Sequence, residues 1–361
     1  MCSMYDGLEQ SVCEGEDVIP SIDFSAAEGS KEERIQLASD IVKALQDVGF
    51  LYLDNVKNID PMELRKAIEW FFYSLPPEER LKVTKKQWNP NGTNVYRGFF
   101  PAQGAVSHKE SLEIGKEMAP DHPDVRKYVL YEPNLWPNED GQNGKYPAFP
   151  GFRAMVTKYY DSISKVALDI IRLISIGLGL EETHFDDLFK PNPLSTFRLL
   201  HYPPRNEPPP PDALVDGVLL QCEAHSDSTI LTLLGTFEFR GLQILSKDGE
   251  WISVEPKQHS LIMNVGDTLV QMTKGRLKAT VHRVAVQDPE KGRFSMPYFF
   301  EPDYRANIGK FLNNDEVKEK ALNYYGPWVI HEMAIVKKYV EYKDIDFGNF
   351  MDIDFDISSI F

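Results

Sequence analysis

Ala224-His225-Ser226-Asp227-Ser228-Thr229-Ile230-Leu231-Thr232-Leu233-Leu234 sets a histidine and a carboxylate two positions apart at the head of a β-type apolar run. Residues i and i+2 of a strand share a face, so His225 and Asp227 are predicted to point one way and Ser226 the other. Around this stretch, from Ser195 to Phe300, the hydrophobic period is that of strands. Segments near 196–202, 218–223, 229–234, 241–245, 251–254, 259–264, 268–272, 280–287 and 293–300 read as strands separated by turn residues. Many short, evenly spaced strands following a mixed helix and strand region predict an α+β chain with a double-sheet jelly roll wrapped by helices.

The flanks are read the same way. Residues 1–17 are polar and acidic and are expected to be a mobile N-terminus. Val18–Phe24 reads as a short strand. Ser30 and Glu33 form a capping-box pattern ahead of Ile35, Ala38, Ile41, Val42, Leu45 and Val48 at helical spacing, and Gly49 ends that helix. Phe50–Leu53 is a strand. Asp60-Pro61 opens an aromatic-rich helix that Pro76-Pro77 ends. Residues 85–150 are predicted to be loops and short strands. A long helix from about Phe152 to Ile176 carries Met155, Val156, Tyr159, Ile163, Val166, Ile170 and Ile174 on one stripe. Beyond Phe300 a helix is expected over about 314–341 with a break at Gly326-Pro327, then an acidic-aromatic tail from Asp344 to Phe361. The resulting division is 1–17, an N-terminal α/β region 18–190 packed on the core, a jelly-roll core 191–305, and C-terminal helices and tail 306–361.

Bulk properties narrow the function. Hydrophobic residues make up 42% of the 361, which is a globular composition. A net charge of −16 opposes binding to nucleic-acid backbones and anionic membranes. It leaves room for a small anionic ligand, because one buried arginine decides the local field. Cys2, Cys13 and Cys222 form no CxxC pair and no even-numbered framework, so a reducing, cytoplasmic setting is expected. Residues 1–10 lack the basic and apolar regions of a signal peptide, and no apolar run is long enough to span a bilayer.

The chemistry-bearing residues follow the core run. A second histidine, His282, lies in Thr280-Val281-His282-Arg283-Val284. Two imidazoles and one carboxylate leave positions open on one side of a metal, as in the facial triads of non-haem Fe(II) sites. On its own the His-x-Asp could equally be a turn cap beside an ordinary polar histidine. Zinc is the rival metal, but no HExxH and no paired cysteines accompany these residues. Arg293-Phe294-Ser295 puts an arginine and a serine on one strand face, after a turn, Asp288–Gly292, that returns this strand towards the one carrying His282. A buried arginine calls for a carboxylate, from a ligand or from the protein. Tyr202, before Pro203-Pro204, adds a phenol in the same region or is simply a core tyrosine.

Taken together these elements resemble the isopenicillin N synthase-like family of Fe(II)- and 2-oxoglutarate-dependent dioxygenases. Ile19-Pro20-Ser21-Ile22-Asp23, Gly49-Phe50-Leu51, Asn134-Leu135-Trp136-Pro137, Arg198–Pro203, Gly241-Leu242-Gln243 and Asn264-Val265-Gly266-Asp267 match its motifs in order, over about Ile19 to Phe300. The resemblance implies a distorted double-stranded β-helix with iron held by His225, Asp227 and His282. It implies that Arg293 and Ser295 grip the distal carboxylate of 2-oxoglutarate, with Tyr202 as a further contact. O2 and 2-oxoglutarate would be consumed, with succinate and CO2 as coproducts and hydroxylation of a small organic molecule as the default outcome. Leu200 and His201 replace residues that are polar or aromatic in many members, which puts the cosubstrate contacts in question. Arg97, Phe99, Phe100 and Phe300 are candidate substrate contacts by position. Two other readings compete: a cosubstrate-independent oxidase of the isopenicillin N synthase type, and a catalytically silent jelly-roll binding protein. The C-terminal Ile357-Ser358-Ser359-Ile360-Phe361 lacks the glutamine of the former.

Overall fold

The computed structural model describes residues 13–14, 18–103, 107–128, 130–205, 208–311 and 323–332. The acidic tail, most of the helix expected over 314–341, and residues 1–17 other than Cys13–Glu14 and so lie outside the described residues.

Local signals build the elements as read. In the helix Lys31–Asp47, Ser30 Oγ accepts from Glu33 N (3.3 Å) and Glu33 Oε2 accepts from Ser30 N (2.7 Å), closing the capping box. Gly49, at φ +77°, turns the chain out of that helix and into a strand. The long helix Phe152–Gly177 buries Val156, Tyr159, Ile163, Val166, Ile170 and Ile174. Ile35 and Met155, assigned to the buried stripes of these two helices, are instead exposed.

The strands among the described residues are β1 (Cys13–Glu14), β2 (Ser21–Asp23), β3 (Phe50–Asp54), β4 (Gly98–Gln103), β5 (Lys109–Ile114), β6 (Thr196–Tyr202), β7 (Leu214–Val215), β8 (Val218–His225), β9 (Leu231–Gly235), β10 (Leu242–Leu245), β11 (Trp251–Ser253), β12 (Leu261–Val265), β13 (His282–Ala285) and β14 (Arg293–Phe300). They form two sheets, ordered β1-β11-β10-β13-β8-β7 and β2-β3-β12-β9-β14-β6-β5-β4. This is the jelly roll expected, with helices around it. The N-terminal strands β2–β5 extend the larger sheet on both sides rather than standing apart.

Period-2 alternation gives the larger sheet two different faces. On β14, Phe294, Met296, Tyr298 and Phe300 join the main hydrophobic core. Arg293, Ser295, Pro297 and Phe299 line the cavity between the sheets. On β6 the split is Phe197 and Leu199 against Arg198, Leu200 and Tyr202. The helix Phe152–Gly177 braces the core face: Tyr159 stacks on Phe197 (5.4 Å between centroids) and Ser164 Oγ hydrogen-bonds Tyr298 OH (2.8 Å). A polar cavity wall therefore rests on an apolar back that holds it still.

Gly326-Pro327 falls inside the first turn of the helix Tyr325–Glu332, where proline's missing N–H costs nothing; the stretch of the expected helix before it, 314–322, lies outside the described residues. Two expectations are corrected. Residues 268–272 form a helix, Asp267–Met272, because Leu269 and Met272 bury one helical face and Thr273 Oγ1 closes its end on the Leu269 carbonyl (2.7 Å). Asp227 lies beyond the end of β8, in the connection to β9, so strand alternation is not what aims it.

Backbone contacts aim it instead. Asp267 N donates to the Asp227 carbonyl (2.7 Å) and Gly266 N to the Ile230 carbonyl (3.0 Å), which clamps residues 227–230 onto the end of β12. A Cβ on Gly266 would lie 2.0 Å from the Thr229 carbonyl oxygen, a contact with rigid backbone. Gly266→Ala is therefore expected to destabilise the protein by about 2–3 kcal/mol. Denaturant unfolding read by fluorescence checks this; an unchanged midpoint would mean the loop is not clamped here.

Candidate metal centre

His225 ends β8 and His282 begins β13, and the two are direct partners across the ladder. Their rings lie 4.4 Å apart between centroids. His225 Nδ1 meets the Glu223 carbonyl (2.8 Å) and His282 Nδ1 meets the Thr280 carbonyl (3.2 Å). A carbonyl can only accept, so each Nδ1 carries a proton, and in the neutral ring each Nε2 keeps its lone pair. Both Nε2 atoms lie 3.8 Å from Asp227 Oδ1, too far to hydrogen-bond, and the three donor atoms fall within 4.8 Å of one another. Two neutral imidazoles and one carboxylate converging on a point form a donor set that fits a divalent iron.

The carboxylate is fixed from the opposite sheet. Its other oxygen, Oδ2, accepts from Thr232 Oγ1 on β9 (2.6 Å) and Asn264 Nδ2 on β12 (2.8 Å). Burial pushes the Asp227 carboxyl upward, but His282, these two hydrogen bonds and His225 outweigh it and hold the group below the usual carboxylate range. Burial is also the main cause that keeps His282 below the ordinary histidine value. For His225 burial acts the same way, but Cys222, the Glu223 carbonyl and Asp227 overcome it and raise the group. His282 is deep and His225 is half open at the mouth: their side chains are 10% and 41% exposed.

The triad opens into a small cavity of about 70 Å³ between the sheets. Arg293 and Tyr202 face each other in register on β14 and β6, with the guanidinium 4.9 Å from the Tyr202 ring. Arg293 Nη1 donates to Ser295 Oγ (3.2 Å) and Nε to the Arg240 carbonyl (3.0 Å). Among the described residues no carboxylate pairs with it, although it is buried. The structure thus brings together His225, Asp227, His282, Arg293, Ser295 and Tyr202 in one cavity. β14 does not return beside β13, however: it crosses into the larger sheet and faces the triad from the far wall.

The four candidate substrate residues are placed elsewhere. Arg97 is buried and donates to Thr196 Oγ1 (2.5 Å) and the Leu194 carbonyl (2.6 Å) as a strut of the fold. Phe99 packs against Phe71 in the core, and Phe100 stacks on Trp88 (6.3 Å). Phe300 stacks on Phe189 (4.1 Å) on the helix side of β14, the face opposite Arg293. None of the four lines the cavity. Sequence reasoning missed Thr232, Asn264 and Lys109, which do. The signal for Asn264 was its motif with Asp267, and for Thr232 the strand alternation after Asp227. Lys109 carried no signal.

Comparison with known proteins agrees with this geometry. Residues 193–302 match the family described as 2OG-Fe(II) oxygenase superfamily, and residues 19–139 match the N-terminal region described as non-haem dioxygenase in morphine synthesis. A 2-oxoglutarate-Fe(II) type oxidoreductase of Aspergillus fumigatus is 31% identical over 332 residues, covering 87% of this chain and 90% of the relative. Isopenicillin N synthase of Streptomyces clavuligerus is 28% identical over 328 residues, covering 89% and 96%. A full-length Neurospora crassa protein solved with alpha-ketoglutarate (2-oxoglutarate) and 5-formyluracil superposes with a TM-score of 0.70 at 27% identity, covering 91% of this chain and 99% of that one. With relatives of this extent sharing both halves of the fold, the chain belongs to the 2OG-Fe(II) oxygenase superfamily, as an isopenicillin N synthase-like, Fe(II)- and 2-oxoglutarate-dependent dioxygenase.

Proposed function

We propose that His225, Asp227 and His282 are the iron ligands of this dioxygenase. In this reading Arg293, with Ser295 and Tyr202, holds the distal carboxylate of 2-oxoglutarate, and the enzyme hydroxylates a small organic metabolite. The observation that carries the reading is Arg293. A buried cation without an acidic partner is costly, and a ligand carboxylate in the same cavity as the three convergent donors supplies that partner. Bound Fe(II), with 2-oxoglutarate and O2, supplies the oxidising chemistry and yields succinate and CO2.

The chain's own residues orient and exclude. The Glu223 and Thr280 carbonyls keep both imidazoles in the Nε2-ligating tautomer, and Thr232 and Asn264 leave one Asp227 oxygen free for the metal. Leu200, Leu234, Leu242, Val284 and Phe299 are among the apolar residues that line the cavity and limit water at the reacting centre. The substrate is taken to be a small molecule, as the Neurospora crassa protein binds thymine in one structure and 5-formyluracil in another. The net charge of −16 speaks against a nucleic-acid partner. Among the described residues no helix is long and apolar enough to cross a membrane.

Turnover over a panel of small metabolites, read as succinate formed, tests the reaction; oxygen uptake without succinate would point to the isopenicillin N synthase type of oxidase. Asp227→Ala and His282→Ala are each expected to abolish Fe(II)-dependent succinate formation while the protein still unfolds cooperatively. Retained turnover in both would remove the ligand assignment. Asn264→Ala should keep the fold but weaken Fe(II) binding by about 10–100-fold, measured by metal titration. Arg293→Ala should raise the 2-oxoglutarate concentration for half-maximal turnover by about 30-fold or more, because a desolvated charge contact is lost. An unchanged requirement would move that carboxylate elsewhere.

A further inference from the structure

The register of three strands places a row of side chains across the cavity wall. Arg293 on β14 lies opposite Tyr202 on β6. On the other side of β6, Glu110 pairs with His201, and the antiparallel register continued by one residue sets Lys109 of β5 opposite Tyr202. Lys109, Tyr202 and Arg293 all line the cavity. The wall thus holds a phenol flanked by two cations.

Among the described residues Lys109 is not spoken for by a carboxylate. Its Nζ crosses to the other sheet and donates to Cys222 Sγ (3.2 Å); burial pushes that thiol up, but His225 and Lys109 bring it down to about 7, so the sulfur is a partial partner and not a carboxylate. Among the described residues no acidic side chain lies within ion-pair distance of Lys109. Its neighbours differ: Arg198, on the same wall, pairs with Glu113 at 2.6 Å, and Lys85 pairs with the same carboxylate. Among the described residues the cavity therefore carries two cations without a carboxylate partner, Arg293 and Lys109. One carboxylate satisfies one of them, and 2-oxoglutarate carries two.

We propose that Lys109 is a second cationic contact to 2-oxoglutarate, so that the dianion is held between two protein cations rather than by Arg293 alone. Lys109 Nζ lies beside Cys222, whose Sγ is 3.9 Å from His225 Nδ1, so it reaches towards the metal side of the cavity. Arg293 reaches the other way, to the Arg240 carbonyl. This inference rests on the reading of Arg293 given above, and the experiment separates the two.

Calorimetric binding of 2-oxoglutarate to the full-length, Mn(II)-loaded protein reads affinity without turnover. Lys109→Met is expected to weaken binding by about tenfold or more, and Lys109→Arg, which keeps the charge, by no more than about threefold. If Lys109→Met does not fold, Lys109→Gln keeps a polar tip for Cys222 without the charge and takes its place. Arg293→Met serves as the control. Unchanged affinity in the Lys109 variants with a loss in Arg293→Met overturns the role of Lys109 and leaves Arg293 standing. Unchanged affinity in Arg293→Met as well overturns the reading of the pocket itself.

Discussion

One buried carboxylate ties the two sheets together. Asp227 presents Oδ1 to His225 and His282, which sit on adjacent strands of the smaller sheet. It presents Oδ2 to Thr232 and Asn264, which sit on adjacent strands of the larger one. A charge at that depth is tolerated only where it is hydrogen-bonded and compensated, so each sheet must supply its share. The same connection is held from behind by backbone bonds to Gly266 and Asp267. The geometry of the site is thus a consequence of how the sandwich closes.

The far wall follows from alternation. Every second residue of β6 and β14 belongs to the helix-braced core, which is large, aromatic and tightly packed. The residues between them, Arg198, Leu200 and Tyr202 on β6 and Arg293, Ser295, Pro297 and Phe299 on β14, can only face the cavity. Rigidity on one face becomes preorganisation on the other, since side chains that bind a small anion must be held before it arrives. Arg198 finds Glu113, whereas Arg293 and Lys109 find no carboxylate among the described residues. That difference separates a structural cation from those that, in the reading proposed above, a ligand carboxylate completes.

Much of this was legible in the chain. The capping box at Ser30, the strands of residues 196–202 and 293–300, the three candidate ligands and the Arg-x-Ser pair are all local patterns, and local physics decides them. The substrate candidates were not legible. Phe99, Phe100 and Phe300 are aromatic strand residues whose face depends on register, and register put Phe300 on the core side. Arg97 looked like a loop cation, yet its guanidinium is consumed by carbonyls of residues 194 and 195, a contact across about a hundred positions. Asp267–Met272 read as a strand because six residues are too few to separate the two periods.

By itself the sequence determined which residue types could make the chemistry: two imidazoles, one carboxylate and one arginine, each in a β-run whose alternation could aim it. It also pointed to the family, through short motifs that occur in the family's order along this chain. Only the tertiary structure decided that Asp227 is aimed by a clamped loop rather than by strand alternation. It also decided that Thr232 and Asn264 hold that carboxylate, and that Lys109 stands in line with Tyr202 and Arg293. The physical reason is that each of these depends on pairing between strands far apart in the chain, and a one-residue shift of register would turn every such side chain to the other face.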